Sequence, residues 1–404
     1  MNRFPIQRPP SSVLLAIGMV LLASNLRPAA AGIGPLIDRI RAGNGLSATA
    51  AGVLVTLPVL CFGALAPIAT VLSRRIGAQA TAAAALVVLL AGLLVRLIPG
   101  VGFLFVGTAL AGAAIAVGNV LLPVLARRSF PERVGLITGL YTTALVGFAA
   151  LAAGISAPVA DAFGGGWRPG LAVWALPAAV AVLVWSPQLG RRTPEGGTGP
   201  DADPGRVAGA RALLHDKVAW AVTLFFATQS AGFYATLAWL PSVFHSHGKS
   251  SSAAGFLLSL ALLCGLPPAL TVPSLATRMR DQSRLVLVFV ALIAAGWLGV
   301  ILAPTTLPYL WVVLLGIGQN ASFPLALTLI VLRGGSVSTT AGLSTLVQSV
   351  GYLLAAAAPL AIGAVHDLSG SWTPALIVLL ALLIPQTLAG LAASRNRTVT
   401  LGPR

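Results

Sequence analysis

The sequence predicts an all-α integral membrane protein with twelve transmembrane helices in two parallel six-helix repeats. Three observations carry this. Of 404 residues, 57% are hydrophobic and only 8% charged, with a mean hydropathy of +0.93. Soluble domains carry about 25% charged residues, so a soluble fold of this composition could not cover its own surface. Apolar stretches long enough to cross a bilayer recur along the chain, and the second half repeats the first.

A membrane helix needs about 20 largely apolar residues. Such stretches run near 12–36, 48–72, 79–98, 101–126, 135–159, 169–187, 217–243, 253–276, 285–303, 308–332, 340–364 and 373–393. The first could be read as a signal peptide, because Arg3 and Arg8 precede it and Ala29-Ala30-Ala31 resembles a cleavage site. Arg27 and Pro28 stand just before that site, and eleven apolar stretches follow, so an uncleaved first helix is expected. The 44 Gly and 28 Pro fit membrane helices, whose neighbours can satisfy freed backbone groups.

Orientation follows from the cations. The formal net charge is +16. The cations come in small groups between apolar runs rather than as a nucleic-acid footprint. With the N-terminus inside, the inner segments hold 19 Lys and Arg and the outer loops four: Arg39, Arg41, Arg168 and Lys249. That asymmetry predicts both termini on the cytoplasmic side. Residues 188–216 are polar and rich in Gly and Pro, and read as a cytoplasmic linker. They divide the chain into a six-helix half at 1–187 and another at 217–404.

The halves repeat each other. GLSATAAGVLVTLPVLCFGALAPIATVLSRR at 45–75 and GKSSSAAGFLLSLALLCGLPPALTVPSLATR at 248–278 share 12 of 31 positions with no gap at an offset of 203, including the two cysteines, Cys61 and Cys264. Asn119 and Pro123 align with Asn320 and Pro324, and Trp167 and Pro169 with Trp372 and Pro374. Six spans separate each pair, and an even number preserves direction, so the repeat is parallel. This duplication is the one expected of the major facilitator architecture.

Enzymatic constellations are missing from the sequence. It holds no HExxH, P-loop, GxSxG or GxGxxG pattern. Two cysteines exclude a disulfide framework and are expected to be small packing residues. His215 falls in the linker; His245, His247 and His366 fall at outer helix ends and are expected to be solvated. All nine acidic residues lie in loops or at span ends, so no midplane carboxylate is available as a proton carrier. Asp38 and the His366-Asp367 pair are the residual coupling candidates, with solvated loop charge as the plainer reading. No cofactor or metal is implied.

The spans do carry polar side chains. Arg27 falls about 22 Å up span 1 at 1.5 Å per residue, close to the middle of the bilayer. A central Arg costs at least about 2.5–3.5 kcal/mol to insert. Its planar fork suits an anion; the other reading is that it bonds carbonyls freed by Pro28 and Pro35. Arg96, at the end of span 3, is expected to snorkel to the surface. Uncharged candidates for a cavity wall are Asn25, Asn119 and Tyr141 in the first half. In the second they are Gln229, Ser230, Tyr234, Gln319, Asn320, Gln348 and Tyr352. Ser230 and Tyr234 are four apart, as are Gln348 and Tyr352, so each pair faces one side of its helix. Interhelical hydrogen bonding is the plainer role for any one of them.

Seven motifs in order then carry a resemblance. Asn25-Leu-Arg-Pro28, TLPVLCFGALAP at 56–67, GLYTTAL at 139–145, LAVWALPA at 171–178, LAWLP at 237–241, LTLIVLR at 327–333 and VQSVGYLLA at 347–355 resemble the cyanate-permease and 2-nitroimidazole-transporter family of the major facilitator superfamily. The resemblance runs from span 1 to span 12. It implies a twelve-helix carrier for a small planar molecule, with residues 25–28 near the central cavity. It also implies inner gating by Arg74, Arg75 and Gly77. Ser73-Arg-Arg-Ile-Gly77 keeps the superfamily's basic pair and Gly but lacks its Asp, and Asn320 stands where the family has Gly.

The expectation is therefore a monomeric secondary active or facilitative transporter in a bacterial inner membrane. Its partners would be the lipid bilayer and a small planar solute, anionic or heteroaromatic, with a coupling proton or ion left open. Nucleic acid is not expected. A multidrug or metabolite efflux carrier is the alternative, and a membrane-embedded enzyme or sensor a distant one.

Overall fold

A computed structural model describes residues 12–188 and 213–399. Most of the linker expected at 188–216, with its four arginines, lies outside these residues. The described chain is helical throughout, without strands.

The first half comprises α1 (Ser12–Leu26), α2 (Pro28–Ala31), α3 (Ile37–Asn44), α4 (Ala48–Ile76), α5 (Ala78–Val95), α6 (Val101–Ser129), α7 (Val134–Ala162), α8 (Trp167–Ala172) and α9 (Ala175–Trp185). The second comprises α10 (Lys217–Ser246), α11 (Ser251–Leu263), α12 (Leu266–Arg278), α13 (Ser283–Leu302), α14 (Pro308–Gly334), α15 (Val337–Ala355), α16 (Ala357–Ser369) and α17 (Trp372–Ser394). Among the described residues, 11 helical segments are long and apolar enough to cross a membrane. The twelfth expected span, α10, has 30 residues but is too polar to join them. It is largely enclosed by protein, with Thr223, Gln229, Ser230, Thr236 and Ser242 all buried on it.

Four expected spans are broken. Span 1 breaks at Arg27, before Pro28; span 6 at Val173–Trp174, before Pro177; span 8 at Cys264–Gly265, before Pro267 and Pro268; and span 11 at Ala356, before Pro359. Proline has no N–H, so a carbonyl one turn earlier loses its helical donor. Side chains from other helices also hold carbonyls beside these breaks. Thr56 Oγ1 donates to the Ala356 carbonyl at 2.8 Å, and Trp239 Nε1 to that of Pro359 at 2.8 Å.

Arg96 performs the same task and corrects the snorkelling expectation. It is fully buried and donates to the Ala29 carbonyl at 2.9 Å and that of Leu171 at 3.4 Å. A guanidinium among interrupted helices finds acceptors closer than the surface.

The bundle has two unlike ends. One carries exposed Arg75, Arg127, Arg128, Arg278, Arg280 and Arg284. The other carries Asp38, Asp161 and Asp367 with their partners. At this acidic end the halves touch closely. A Cβ on Gly52 would lie 2.8 Å from the Leu360 Cα, and one on Gly255 would lie 2.5 Å from the Ala153 carbonyl oxygen. These glycines are repeat equivalents, and each meets the opposite half. One apolar cluster spans both halves. A second, with Phe225, Leu329 and Ala393, belongs to the second half alone. The halves are thus joined at the acidic end and parted toward the basic one.

Candidate functional site: the cavity between the halves

The parting encloses a cavity of about 1220 Å³. Its wall comes from the α1–α2 break, α4, α6 and α7 of the first half and α10, α11, α12, α14 and α15 of the second. It reaches Val71, Thr138, Thr277 and Val331 near the basic ends of their helices. Asp38, Asp161 and Asp367 do not line it, so it opens toward the basic end.

Nine of the ten expected binding residues meet on this wall. From the first half come Arg27, Asn119 and Tyr141. From the second come Gln229, Tyr234, Gln319, Asn320, Gln348 and Tyr352. Asn25 does not join them. It is buried, and its amide donates to the Leu21 carbonyl at 2.8 Å and to that of Pro177 at 3.2 Å, tying α1 to α9. Asn25 and Arg27 are two positions apart, so the helix turns the two polar side chains to different sides.

Among the described residues, Arg27 is the only charged one on the cavity wall, and no carboxylate lines it. The helix break exposes it: the Arg27 carbonyl accepts from the Ala30 and Ala31 N–H groups at 3.1 and 2.9 Å, and its side chain remains partly exposed. The guanidinium lies close enough to the Tyr234 and Tyr352 hydroxyls to act on both electrostatically, and the two phenol rings are 6.3 Å apart between centroids. Aromatic rings close around this pair. Tyr352 meets Phe226 edge-on at 5.0 Å between centroids and Phe62 at 5.6 Å, and Tyr234 meets Phe233 at 5.3 Å. These contacts hold the two phenols rigidly beside the cation.

The amides are partly engaged. Gln229 Nε2 donates to Ser230 Oγ at 2.6 Å, Gln348 Nε2 to Ser344 Oγ at 2.8 Å and Gln319 Nε2 to Thr236 Oγ1 at 2.8 Å. Asn320 Nδ2 donates to the carbonyls of Gly316 at 2.8 Å and Ala261 at 3.3 Å. Ala261 lies one turn before the α11–α12 break, so Asn320 also repairs that break. A side-chain carbonyl oxygen remains on each amide as an acceptor.

The expected gating residues lie at the basic end. Gly77 forms the turn between α4 and α5 with φ +86°, which a side chain would strain. Arg75 is exposed; the Arg74 side chain lies outside those described. A further basic residue at that end, with a structural role, escaped sequence reasoning. Arg333 is buried and donates to the Ala393 and Ser394 carbonyls, both at 2.8 Å, and to Gln282. It locks α14 to the end of α17. Nearby, Ser283 holds the Asp281 carboxyl below the usual carboxylate range through its hydroxyl and backbone N–H, with Arg333 and Arg284 adding to the effect.

The family model described as Major Facilitator Superfamily matches residues 13–356. The 2-nitroimidazole transporter of Escherichia coli (strain K12) is 36% identical over 96% of this chain and 97% of its own. The chain belongs to the major facilitator superfamily, in the cyanate-permease and 2-nitroimidazole-transporter family. The Cyanate transport protein CynX of E. coli (strain K12) is 30% identical over 88% of this chain and 90% of its own. An uncharacterized transporter of Bacillus subtilis (strain 168), YycB, is 40% identical over 96% and 95% respectively. Among solved structures, a bacterial homologue of the human lysosomal transporter Spinster, inward-facing and unoccupied, superposes with a TM-score of 0.78 at 13% identity, over 96% of this chain and 98% of that one. The chain is thus a multi-pass membrane transporter.

Proposed function

We propose that this transporter moves a small planar solute, anionic or heteroaromatic, across a bacterial inner membrane by alternating access. The observation that carries this reading is the guanidinium of Arg27, the one charged group among the described residues of an aromatic-walled cavity that no described carboxylate lines. Uncompensated positive charge in a low-dielectric cavity favours a negative guest, and the planar fork favours a flat one. Tyr234 and Tyr352 would stack on the ring or plane, and the oxygens of Gln229, Gln319 and Gln348 would accept its N–H groups. The names of the cyanate and 2-nitroimidazole relatives support the same size class.

In this reading the basic end faces the cytoplasm, with both termini, and the cavity is open inward. Arg75 and Gly77, with Arg74, would gate that side. Transport is the whole activity, with no bond made or broken. Impermeant labelling of whole cells tests the orientation: a cysteine replacing exposed Phe163 at the acidic end should react, and one replacing Ile76 should not. A melting-temperature screen of purified protein against small anions and heteroaromatics tests the solute class. Stabilisation by neither class, with uptake into vesicles also absent, would overturn it. The cavity's volume also favours an efflux carrier for larger solutes, which bulky aromatic ligands in the same screen would reveal.

A further inference from the structure

The acidic end is closed by two carboxylates in repeat-equivalent places. Asp161 at the end of α7 accepts from Ser252 Oγ, in the first turn of α11, at 2.8 Å. Asp367 at the end of α16 accepts from Thr49 Oγ1, in the first turn of α4, at 2.6 Å. Thr49 and Ser252 are related by the repeat offset of 203, and Asp161 and Asp367 by nearly the same one. Each contact crosses between halves, so each must break for the acidic end to open.

The two latches differ in what surrounds them. Asp161 forms a 2.7 Å ion pair with Arg39 of its own half. Asp367 takes more from the opposite half: the Ala48 N–H on Oδ1 at 2.9 Å, and the Thr49 N–H and hydroxyl on Oδ2, both at 2.6 Å. Its cation is more distant, with Arg41 at 3.9 Å. Beside it lies His366, whose Nδ1 is 3.9 Å from Asp367 Oδ1. The His366 ring lies against Trp372 with centroids 4.0 Å apart, and Nδ1 is buried without a hydrogen-bond partner. The other charged groups here are Asp38, which accepts from Ser242 Oγ at 2.9 Å and lies 3.6 Å from Arg41, and His245, 3.6 Å from Asp38. With both histidines neutral, Asp38, Asp367 and Arg41 sum to one net negative charge.

We propose that His366 is a proton-binding site whose occupancy releases the Asp367 latch and opens the acidic end. A neutral imidazole has one donor and one acceptor nitrogen, and a protonated one has two donors. Nδ1 of His366 has no acceptor in the closed arrangement. A proton placed there leaves a buried charged donor unsatisfied unless Asp367 turns toward it. Asp367 can do so only by giving up the first turn of α4, the contact that joins the halves. The proton comes from bulk water at the acidic end, remains on His366 and brings the cluster to neutrality. Histidine titrates in the range where such a switch is useful. His366 and Asp367 would thus link proton uptake to alternation with no midplane carboxylate. The inference rests on the closed acidic end, not on the identity of the solute.

The test uses full-length protein in nanodiscs, where pH is the same on both faces and no solute is added. Exposed Phe163 and Leu368 carry spin labels on cysteines, with Cys61 and Cys264 replaced by alanine. In the otherwise unaltered protein, lowering pH from 8 to 5.5 should move the distance distribution toward longer separations. His366→Gln should remain closed at both pH values. Asp367→Asn should be open at both. His245→Gln, the control, should respond as the parent does. A parent with no pH response, or a full response in His366→Gln, overturns the proposal. Loss of response in His245→Gln alone reassigns the proton and overturns it too. A closed distance at pH 8 certifies the fold of His366→Gln. Should that variant misfold, a pH-dependent distance surviving in Asp367→Asn overturns the proposal by itself.

Discussion

The guanidinium of Arg96 holds the carbonyl of Ala29, 67 residues away in sequence, at 2.9 Å. That carbonyl is free because the Ile33 N–H donates to Ala30 at 3.2 Å instead. The same guanidinium reaches Leu171 at 3.4 Å, beside the break between α8 and α9. One side chain thus supports two interrupted helices. Arg96→Gln should expose one or both carbonyls unsatisfied, at about 1–3 kcal/mol each. A lower melting temperature and reduced yield are expected, with retained ligand-induced stabilisation in whatever folds. Arg96→Lys should fall between, since an ammonium lacks the fork that spans two acceptors. A wild-type melting temperature for Arg96→Gln would remove this role.

Asn320 and Gly265 are fitted to each other. A Cβ on Gly265 would lie 2.4 Å from the Asn320 Cγ, so Gly265→Ala must displace the amide from the Ala261 carbonyl it holds. Overpacking of this kind costs about 1–3 kcal/mol. Asn320→Ala alone should also destabilise, through the lost hydrogen bond. Combined, the two should cost less than their sum, because the second alanine vacates the space the first needs. Melting temperatures of the four proteins form the cycle; strict additivity would contradict the contact.

Gly52 and Gly255 are repeat-equivalent points of close approach between the halves at the acidic end. Gly255→Leu would drive atoms into the Ala153 carbonyl, 2.5 Å from the first added carbon. The packed end is expected to part rather than absorb the side chain. In a background lacking native cysteines, a reporter cysteine at Thr142 on the cavity wall should become reactive to an impermeant reagent added from the acidic side. Labelling unchanged from the parent would show that the halves tolerate the side chain while closed.

Several of these features were legible in the sequence and others were not. Span number, the parallel repeat and nine of the ten cavity residues follow from apolar periodicity and from polar residues placed inside it. Asn25 and Arg96 were misread for one reason. Each satisfies a carbonyl of a distant helix, and which carbonyl is freed depends on where proline-adjacent breaks fall in three dimensions. Asp367 and His366 read as solvated end charges because nothing local to residues 366–367 reveals the first turn of α4 beside them. The spacing of Asp161 and Asp367 was the available signal: it nearly equals the repeat offset of 203, and the first turns at Thr49 and Ser252 share it.

Arg27 decides the solute class. If its guanidinium binds a planar anion, Arg27→Lys should damage transport almost as much as Arg27→Gln, because lysine keeps the charge but not the multidentate donor array. Both variants should fold, since replacing an Arg at the membrane centre lowers the insertion cost by about 2.5–3.5 kcal/mol. Arg96, not Arg27, supports the Ala29 carbonyl, so the break in span 1 keeps its partner in either variant. Tyr234 loses the guanidinium but retains Tyr352 as a neighbour at 6.3 Å between ring centroids. Ligand-induced stabilisation in the folded variants is therefore the clean readout. A ligand at 100 times its Kd stabilises the native state by about 2.7 kcal/mol. That shift should appear for an anionic aromatic probe in the unmodified protein and vanish in both variants. If Arg27→Gln retains the full shift, the guanidinium is not the anion site. A neutral heteroaromatic held by Gln229, Gln348 and the tyrosines would then account for the cavity, and transport should be insensitive to the ionisation state of the solute.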